Sequence, residues 1–450
     1  MAAPTRDARS PCCARGPSTL LASLHPRLQF CHAGARVSRL VAALILCLAA
    51  ATARAAAAPA VTEIVFEGNK TTQEKVMLRE MVIHVGDPAD AEQIERSRQY
   101  IQDLGLFRRV EVRQQEVHGG VRLVYTVDEK WYILPYPRLS ANVDGQTSAG
   151  AEVRWNNIAG LNHSLRVVGS RSNLKEPGRG KQTNYTAQYS APFVFDSPYR
   201  VNANLGHTIS PVTGDLNYDE TFNNAGLSVS RTFPDADGAA SQGTSWGGGV
   251  GWQRESTSGN GAPAPYGQAV SLNASYGYTN QRFNIFSEEG VNYGIGVAAA
   301  RKGVASDYSF ETLTGSYRRI LHVGETEHQT LLWQFSGGVF GDGPDGVKAF
   351  SLGGSKQLRG YKVNSLQGNA YYLAQAEFFR PVFLPSLRLG AILEAGNVYG
   401  HPRDANFGTL RTSLGFALRL RLTRFVNFEF EVGYAFPLNG GQGKFFGGRV

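Results

Sequence analysis

The chain has 450 residues, with 45 Lys and Arg against 37 Asp and Glu, 42% apolar residues, 52 Gly and four Cys. Disordered chains are poorer in aromatic and β-branched residues, and disulfide scaffolds are shorter and denser in Cys, so both classes are excluded. A mean hydropathy of -0.25, with no run of about 18 apolar residues after residue 60, excludes a bundle of membrane-spanning helices and leaves a membrane β-barrel open.

Residues 1–60 read as a leader. They hold seven arginines and one acid, Asp7, and therefore six of the eight net positive charges; 38 basic and 36 acidic residues remain beyond them. That near-neutral balance argues against a nucleic-acid surface. Arg36 to Arg39, the apolar run Leu40 to Ala50 and the small-residue site Ala53-Arg54-Ala55 form the n-region, h-region and cleavage site of a secretory signal; an Arg-rich organelle transit sequence is the alternative. All four cysteines (Cys12, Cys13, Cys31, Cys47) fall here, so the chain beyond has no thiolate metal site, redox motif or Cys nucleophile.

Residues 61–130 alternate between strand and helix patterns. Val61 to Glu67 alternates and stops at Gly68-Asn69, a strand and a turn. Thr71 or Thr72 is placed to cap a helix over Gln73–Met81, and Asp90 to cap a second over Ala91–Leu104, with Ile94, Ile101 and Leu104 on its apolar stripe. Strands Phe107–Val112 and Gly120–Asp128 follow, giving the order strand, helix, helix, strand, strand.

From Trp131 the pattern becomes period-2 throughout, in about sixteen runs beginning near residues 136, 149, 161, 181, 198, 221, 243, 267, 291, 307, 328, 369, 386, 409, 426 and 444. Roughly twenty residues per strand and connection suits a membrane barrel, whose strands need about 9–11 residues to span. In Leu418 to Leu422 and Phe428 to Tyr434 the even positions are apolar and the odd ones polar or Gly. Keeping both apolar sides on one face requires a loop of odd length, which sets Arg421 opposite Glu429 and Arg419 opposite Glu431. A soluble sandwich of sixteen strands would bury its apolar face in a dry core, whereas Arg419, Glu377 and Glu394 recur inside strands. The expected fold is therefore mainly β: a 16-stranded antiparallel transmembrane barrel over 131–450, preceded by a small α+β domain over 61–130.

Catalytic strings are weak. Gly243-Thr-Ser-Trp-Gly247 matches a nucleophile elbow, which needs a helix behind its turn, but here a Gly-rich strand follows. His163-Ser164 could belong to a barrel-embedded hydrolase or could be two polar residues beside a turn. No nucleotide loop, dinucleotide fingerprint or His-x-x-x-His pair occurs, so no enzyme activity, metal or cofactor is expected. The segment Phe350-Ser-Leu-Gly-Gly-Ser-Lys-Gln-Leu-Arg-Gly-Tyr361, between the eleventh and twelfth runs, is more informative. An Arg flanked by Leu358 and Gly360-Tyr361 suits a loop folded into a lumen, where a guanidinium needs a carboxylate. Glu377 and Glu394 lie on the polar parity of the next two strands.

The Leu358-Arg359-Gly360-Tyr361 string resembles the Arg-Gly-Phe/Tyr loop motif of the BamA/TamA/Sam superfamily of outer-membrane barrel-assembly and transport proteins. Gly68-Asn69, Gly86-Asp87, Leu104-Gly-Leu-Phe107 and Val127-Asp-Glu129 are similar to its polypeptide-transport-associated (POTRA) domain. The resemblance covers 61–450. It implies that Arg359 holds the loop inside the barrel against Glu377 and Glu394, although the family acid at the second position is usually Asp. It further implies a bacterial outer-membrane location with a periplasmic POTRA domain and unfolded outer-membrane or secreted polypeptides as clients. Outer-membrane lipid and periplasmic or lipoprotein accessory subunits are further partners on this reading, with no nucleic acid. The exposed POTRA strand Val110-Glu111-Val112-Arg113-Gln114 would pair with a client strand through main-chain hydrogen bonds. Pro135 and Pro137 near the start of the barrel, and Gly447-Gly448 at the last strand, predict a weak closing seam. Barrel assembly through that seam is the leading reading. Two-partner secretion of polypeptide and a passive pore or surface antigen remain as alternatives.

Overall fold

The computed structural model describes residues 58–141, 147–173, 178–440 and 443–449; the expected secretion signal and the four cysteines lie outside the described residues. The first elements are β1 (Val61–Glu67), α1 (Glu74–Leu78), α2 (Ala91–Asp103), β2 (Phe107–Val117) and β3 (Gly120–Glu129), in the order the pattern predicts. The sheet runs β1-β3-β2, with β1 parallel and β2 antiparallel to the central β3. Met77 of α1 and Ile94 and Ile101 of α2 close over Phe107, Leu123 and Tyr125 to form this domain's core. The Asp90 carboxylate accepts from the Glu92 N–H and so starts α2 as expected.

The first helix departs from expectation. It is one short segment, with Gln73 at its cap position and no side-chain cap. Thr72 is committed elsewhere: its hydroxyl donates to Glu129 Oε1 (2.6 Å), its N–H donates to the same oxygen (2.7 Å), and Asn157 Nδ2 donates to the hydroxyl (2.8 Å). A buried threonine tying the end of β3 to the next domain cannot also serve a helix N–H, so the segment winds up only as far as the core side chains Val76 and Met77 hold it.

The barrel follows as β4 (Ile133–Ala141), β5 (Thr147–Ile158), β6 (His163–Asn173), β7 (Gln182–Ala191), β8 (Tyr199–Val212), β9 (Asn217–Phe233), β10 (Gly243–Asn260) and β11 (Gln268–Thr279). It continues through β12 (Arg282–Phe283), β13 (Glu288–Ala300), β14 (Phe310–His322), β15 (Thr330–Gly341), β16 (Phe350–Leu352), β17 (Leu366–Gly368), β18 (Ala370–Val382) and β19 (Leu384–Tyr399). β20 (Arg411–Arg421), β21 (Glu429–Pro437) and β22 (Lys444–Arg449) complete it, and the wall closes with β22 beside β4. Each long strand begins within four residues of its expected start. The two-residue β12 folds back along β13 while β11 pairs with β13 directly, so the wall has sixteen long strands. β16 and β17 form a separate small sheet on the connection between β15 and β18.

Parity separates the two faces. Leu205, Trp246, Leu272, Ile295 and Phe430 are exposed on the outside, a greasy belt of the kind that lipid covers. Positions between them carry Asn, Gln, Ser, Thr, Gly and charge toward the lumen. Arg419 faces Glu431 and Arg421 faces Glu429, the register that parity requires. Among the described residues no helix is long and apolar enough to cross a membrane.

The N-terminal domain packs on the turns at one end of the barrel. Lys75 and Arg79 pair with Asp196, Gln73 N–H donates to Gly160 O, and the Tyr100 hydroxyl donates to Asp237 O at 2.8 Å. The buried carboxylate of Glu80 accepts from Ser241 N–H at 2.9 Å. Asp103 accepts from Phe283 N–H at 2.8 Å and Gln242 Nε2 at 3.2 Å. Burial outweighs these donors, pushing Glu80 above the usual carboxylate range and Asp103 up to about 6.

Candidate functional site

The connection between β15 and β18 enters the lumen and is held by its middle. Leu358 (φ 51°) and Gly360 (φ 94°) are both in the left-handed region. They turn the backbone so that the N–H and the guanidinium of Arg359 face the same carboxylate. A Cβ on Gly360 would sit 3.1 Å from Ala435 O, so only glycine lets this turn lie flat on β21. Leu358 is fully buried and, with Leu352 and Tyr361, packs on Leu373 of β18.

Arg359 is 4% exposed and touches three strands. Its Nη1 donates to Glu394 Oε1 on β19 at 2.8 Å, and its backbone N–H donates to Glu394 Oε2. Nη2 lies 3.0 Å from Glu377 Oε1 on β18 and 3.3 Å from Glu431 Oε1 on β21. Nε donates to Ser355 O at 3.2 Å within the loop, and the ring of Phe446 on β22 lies 5.4 Å from the guanidinium carbon. Two of the three carboxylates are shared with Arg419, which bonds Glu377 at 3.0 Å through Nη2 and Glu431 at 3.0 Å through Nε and stacks over Phe379 at 3.9 Å. Beyond them Arg388 and Arg421 pair with Glu429, and Arg421 with Glu288. Paired charge at this burial replaces hydration with fixed opposite charges, so removing one member strands the rest. Tyr361 completes the attachment: its hydroxyl lies 2.9 Å from Asn439 O and 3.1 Å from Thr412 O, joining the loop to the β21–β22 hairpin.

Both acids singled out from the sequence, Glu377 and Glu394, thus contact Arg359. Glu394 reaches the loop directly, its extra methylene relative to Asp accommodated by bonds to Gln375 Nε2 at 2.6 Å and Ser413 Oγ at 3.2 Å. Sequence reasoning assigned Glu431 to Arg419 alone. Its odd parity on β21, one strand beyond Arg419, marks a lumenal carboxylate that a second cation could share.

On the N-terminal domain, β2 is an edge strand. Glu111, Arg113 and Gln114 are exposed and Val112 is half-buried. Val110 differs from the rest of its segment: its side chain belongs to the core and its carbonyl takes Arg98 Nη1 at 3.1 Å, so the accessible edge begins at Glu111. Ser245 lies inside β10 with no helix behind it. His163 Nδ1 is engaged by the Tyr189 hydroxyl at 2.9 Å, while Ser164 sits opposite Ser190. Neither site assembles a nucleophile and base. Among the described residues no group of His, Cys, Asp and Glu is placed to hold a metal.

Comparison with known proteins follows the same division. Residues 157–445 match the Omp85 superfamily domain, and residues 59–130 match a POTRA domain described as a surface antigen variable number repeat. No curated protein sequence matches the chain. Among solved structures, BamA from Haemophilus ducreyi lacking POTRA domains 1-3 is 18% identical, with a TM-score of 0.52, covering 87% of this chain and 85% of that one. CdiB from Acinetobacter baumannii (15% identical, TM-score 0.57) covers 86% of this chain and 73% of that one. CdiB from Escherichia coli (16% identical, TM-score 0.60) covers 86% and 76%. At these identities the structures share the fold. The family match takes in more than half of the residues, and with a closed sixteen-stranded wall, a POTRA domain at its N-terminal side and a loop held in the lumen, this chain belongs to the Omp85 superfamily.

Proposed function

We propose that this protein is an outer-membrane assembly factor that inserts β-barrel proteins. In this reading 61–130 is its periplasmic POTRA domain and 131–450 its barrel. Unfolded outer-membrane polypeptides are its clients, captured along Glu111 to Gln114 and passed to a seam between β4 and β22. Outer-membrane lipid surrounds it, and accessory periplasmic or lipoprotein subunits fit the same scheme.

The observation that carries the reading is an uneven wall. The loop clasp ties β18, β19 and β21 together through one guanidinium. The neighbouring seam is poor in bonding groups. Pro135 and Pro137 of β4 lack N–H donors, and Gly447 and Gly448 of β22 offer no side chain for cross-strand packing. A barrel rigid up to one joint and weak at it opens sideways there. Polypeptide transport through the lumen is the second reading. It would require the clasped loop to leave, since Leu358, Arg359 and Tyr361 are buried in the lumen it would have to clear.

A pair of disulfides separates the two. Leu139→Cys and Phe445→Cys, both on outward-facing exposed positions, cross-link the seam; Lys356→Cys with Gln334→Cys ties the loop to the wall. Insertion predicts that the seam bond stops assembly of other barrels while the loop bond leaves it running. Transport predicts the reverse. Assembly that proceeds normally with the seam closed sinks the insertion reading.

A further inference from the structure

The wall just across the seam from the clasp, β4 to β6, carries more positive than negative charge toward the lumen. Glu152 of β5 is 1% exposed and is ringed by three arginines. Arg138 Nη1 of β4 lies at 2.9 Å, Arg154 Nε at 2.5 Å, and Arg166 of β6 contributes Nε at 2.8 Å and Nη2 at 3.2 Å. One carboxylate cannot use three forks. Arg154 reaches Glu152 through Nε and Arg138 through Nη1. The Tyr136 hydroxyl also bonds within this group, yet the side chains of Arg138, Arg154 and Arg166 stay 43%, 26% and 36% exposed, so part of each guanidinium group faces lumen water. A fourth cation closes the space. Lys356 of the lumenal loop lies within electrostatic reach of all three arginines and of Glu152, and its backbone is fixed by Gln375 Nε2 donating to Lys356 O at 3.1 Å. Among the described residues, four cations around one acid contrast with the clasp wall. There Arg318, Arg359, Arg388, Arg419 and Arg421 meet Glu288, Glu377, Glu394, Glu429 and Glu431 one for one.

We propose that the lumenal face of β4–β6, with Lys356 above it, binds a small oxyanion from the lumen water. Partly exposed planar guanidinium groups match a phosphate-type or carboxylate oxyanion, which they can bind in two-point geometry. The inward parity of Arg138, Arg154 and Arg166 keeps the site away from lipid, so its ligand arrives through water. Glu152 orients the forks, and its charge limits affinity by holding part of the positive field to itself.

The test is calorimetric titration of the purified protein in zwitterionic detergent with inorganic phosphate at low ionic strength. Saturable binding is expected, weakened by about tenfold in Arg154→Gln, as loss of one charge-assisted bond implies. Glu152→Gln should tighten it, and Arg171→Gln, on the outer face, should leave it unchanged. If the wall variants fail to fold, as judged by heat-modifiable gel mobility, Lys356→Gln still decides the matter, because it lies on the loop outside the Glu152 bonds and should weaken phosphate several-fold. The absence of saturable binding in the parent protein, or an affinity unmoved by Lys356→Gln, overturns the proposal.

Discussion

The two sides of the barrel are built from the same period-2 strands and hold themselves together differently. The wall from β18 to β22 buries its inner face: Leu373, Glu377, Phe379, Ile392, Glu394, Ala417 and Ala435 are all closed off by the loop and by an aromatic and aliphatic cluster that includes Phe446. The wall from β6 to β9 has an inner face of Asn184, Gln188, Asn202 and Asn204, all half-buried or exposed, with bonds such as Ser190 to Asn202 at 2.8 Å and Thr208 to Asn184 at 3.0 Å. Neutral amides facing water keep their hydration and need little from their neighbours. Buried charges depend on every partner. The same fold therefore has a side that tolerates change and a side that does not, and the lumenal loop belongs to the second.

The sharpest way to expose that difference is Arg359→Ala. It removes the one cation held in common by Glu377, Glu394 and Glu431 and should cost about 3–5 kcal/mol, the usual penalty for breaking a buried pair. The expected result is loss of heat-modifiable mobility, new protease cleavage within 350–368, and loss of function. Lys356→Ala, in the same loop, should show none of these changes. Equal resistance in the two variants would remove the clasp from the account.

Gly360→Ala probes the same side with a smaller perturbation. The left-handed φ and the close approach to Ala435 O should together cost about 1–3 kcal/mol, lowering the melting temperature while Arg359 keeps its partners. An unchanged melting temperature would mean that the loop relaxes off β21 without penalty.

Much of this arrangement was legible in the sequence because it follows from parity. Alternation alone located the strand starts, the pairing of Arg419 with Glu431, and the inward direction of Glu377 and Glu394. Glu431 was missed as a partner of Arg359 because parity says which face a carboxylate takes and not how far a loop reaches across the lumen. Thr72 illustrates the opposite failure. Its position before an apolar run is a cap signal, but Glu129 and Asn157, 57 and 85 residues away, compete for its hydroxyl, and no local pattern contains them. Nothing local marks Asp103 and Glu80 either, because the barrel turns that bury them, at Ser241, Gln242 and Phe283, are far away in sequence.

That docking gives a pH test of the tolerant side, since most of the turns the POTRA domain touches connect strands β5 to β13. Asp103 is held at about 6 when docked, against an ordinary value near 3.9 when released. The protonated form therefore favours docking. Its contribution is complete below the released value and lost as pH rises through 6. Docking should be about tenfold tighter at pH 5 than at pH 7, with Glu80, shifted in the same direction, adding to the trend. Hydrogen exchange along α2 should slow as the pH falls, after correction for intrinsic rates. Asp103→Asn should flatten most of the dependence. Exchange protection that rises with pH would show that the hydrogen bonds donated to Asp103 outweigh its burial.

The smallest effect is expected within the hydrated wall itself. Asn184→Ala removes the acceptor for Thr208 Oγ1 at 3.0 Å, but the threonine hydroxyl is half-buried and turns to lumen water instead, so the loss should stay within about 0.5 kcal/mol. The informative comparison is with Gln375→Ala on the clasp side, where the amide bonds both Glu394 at 2.6 Å and the Lys356 carbonyl at 3.1 Å. Removing it leaves a buried carboxylate one donor short, which costs about 1–3 kcal/mol. Two amide truncations on inward positions of one barrel should thus separate by at least a factor of two in destabilisation, measured by urea unfolding in detergent. If they coincide, water reaches the clasp as freely as it reaches β7, and burial would no longer account for why one wall holds the loop and the other does not.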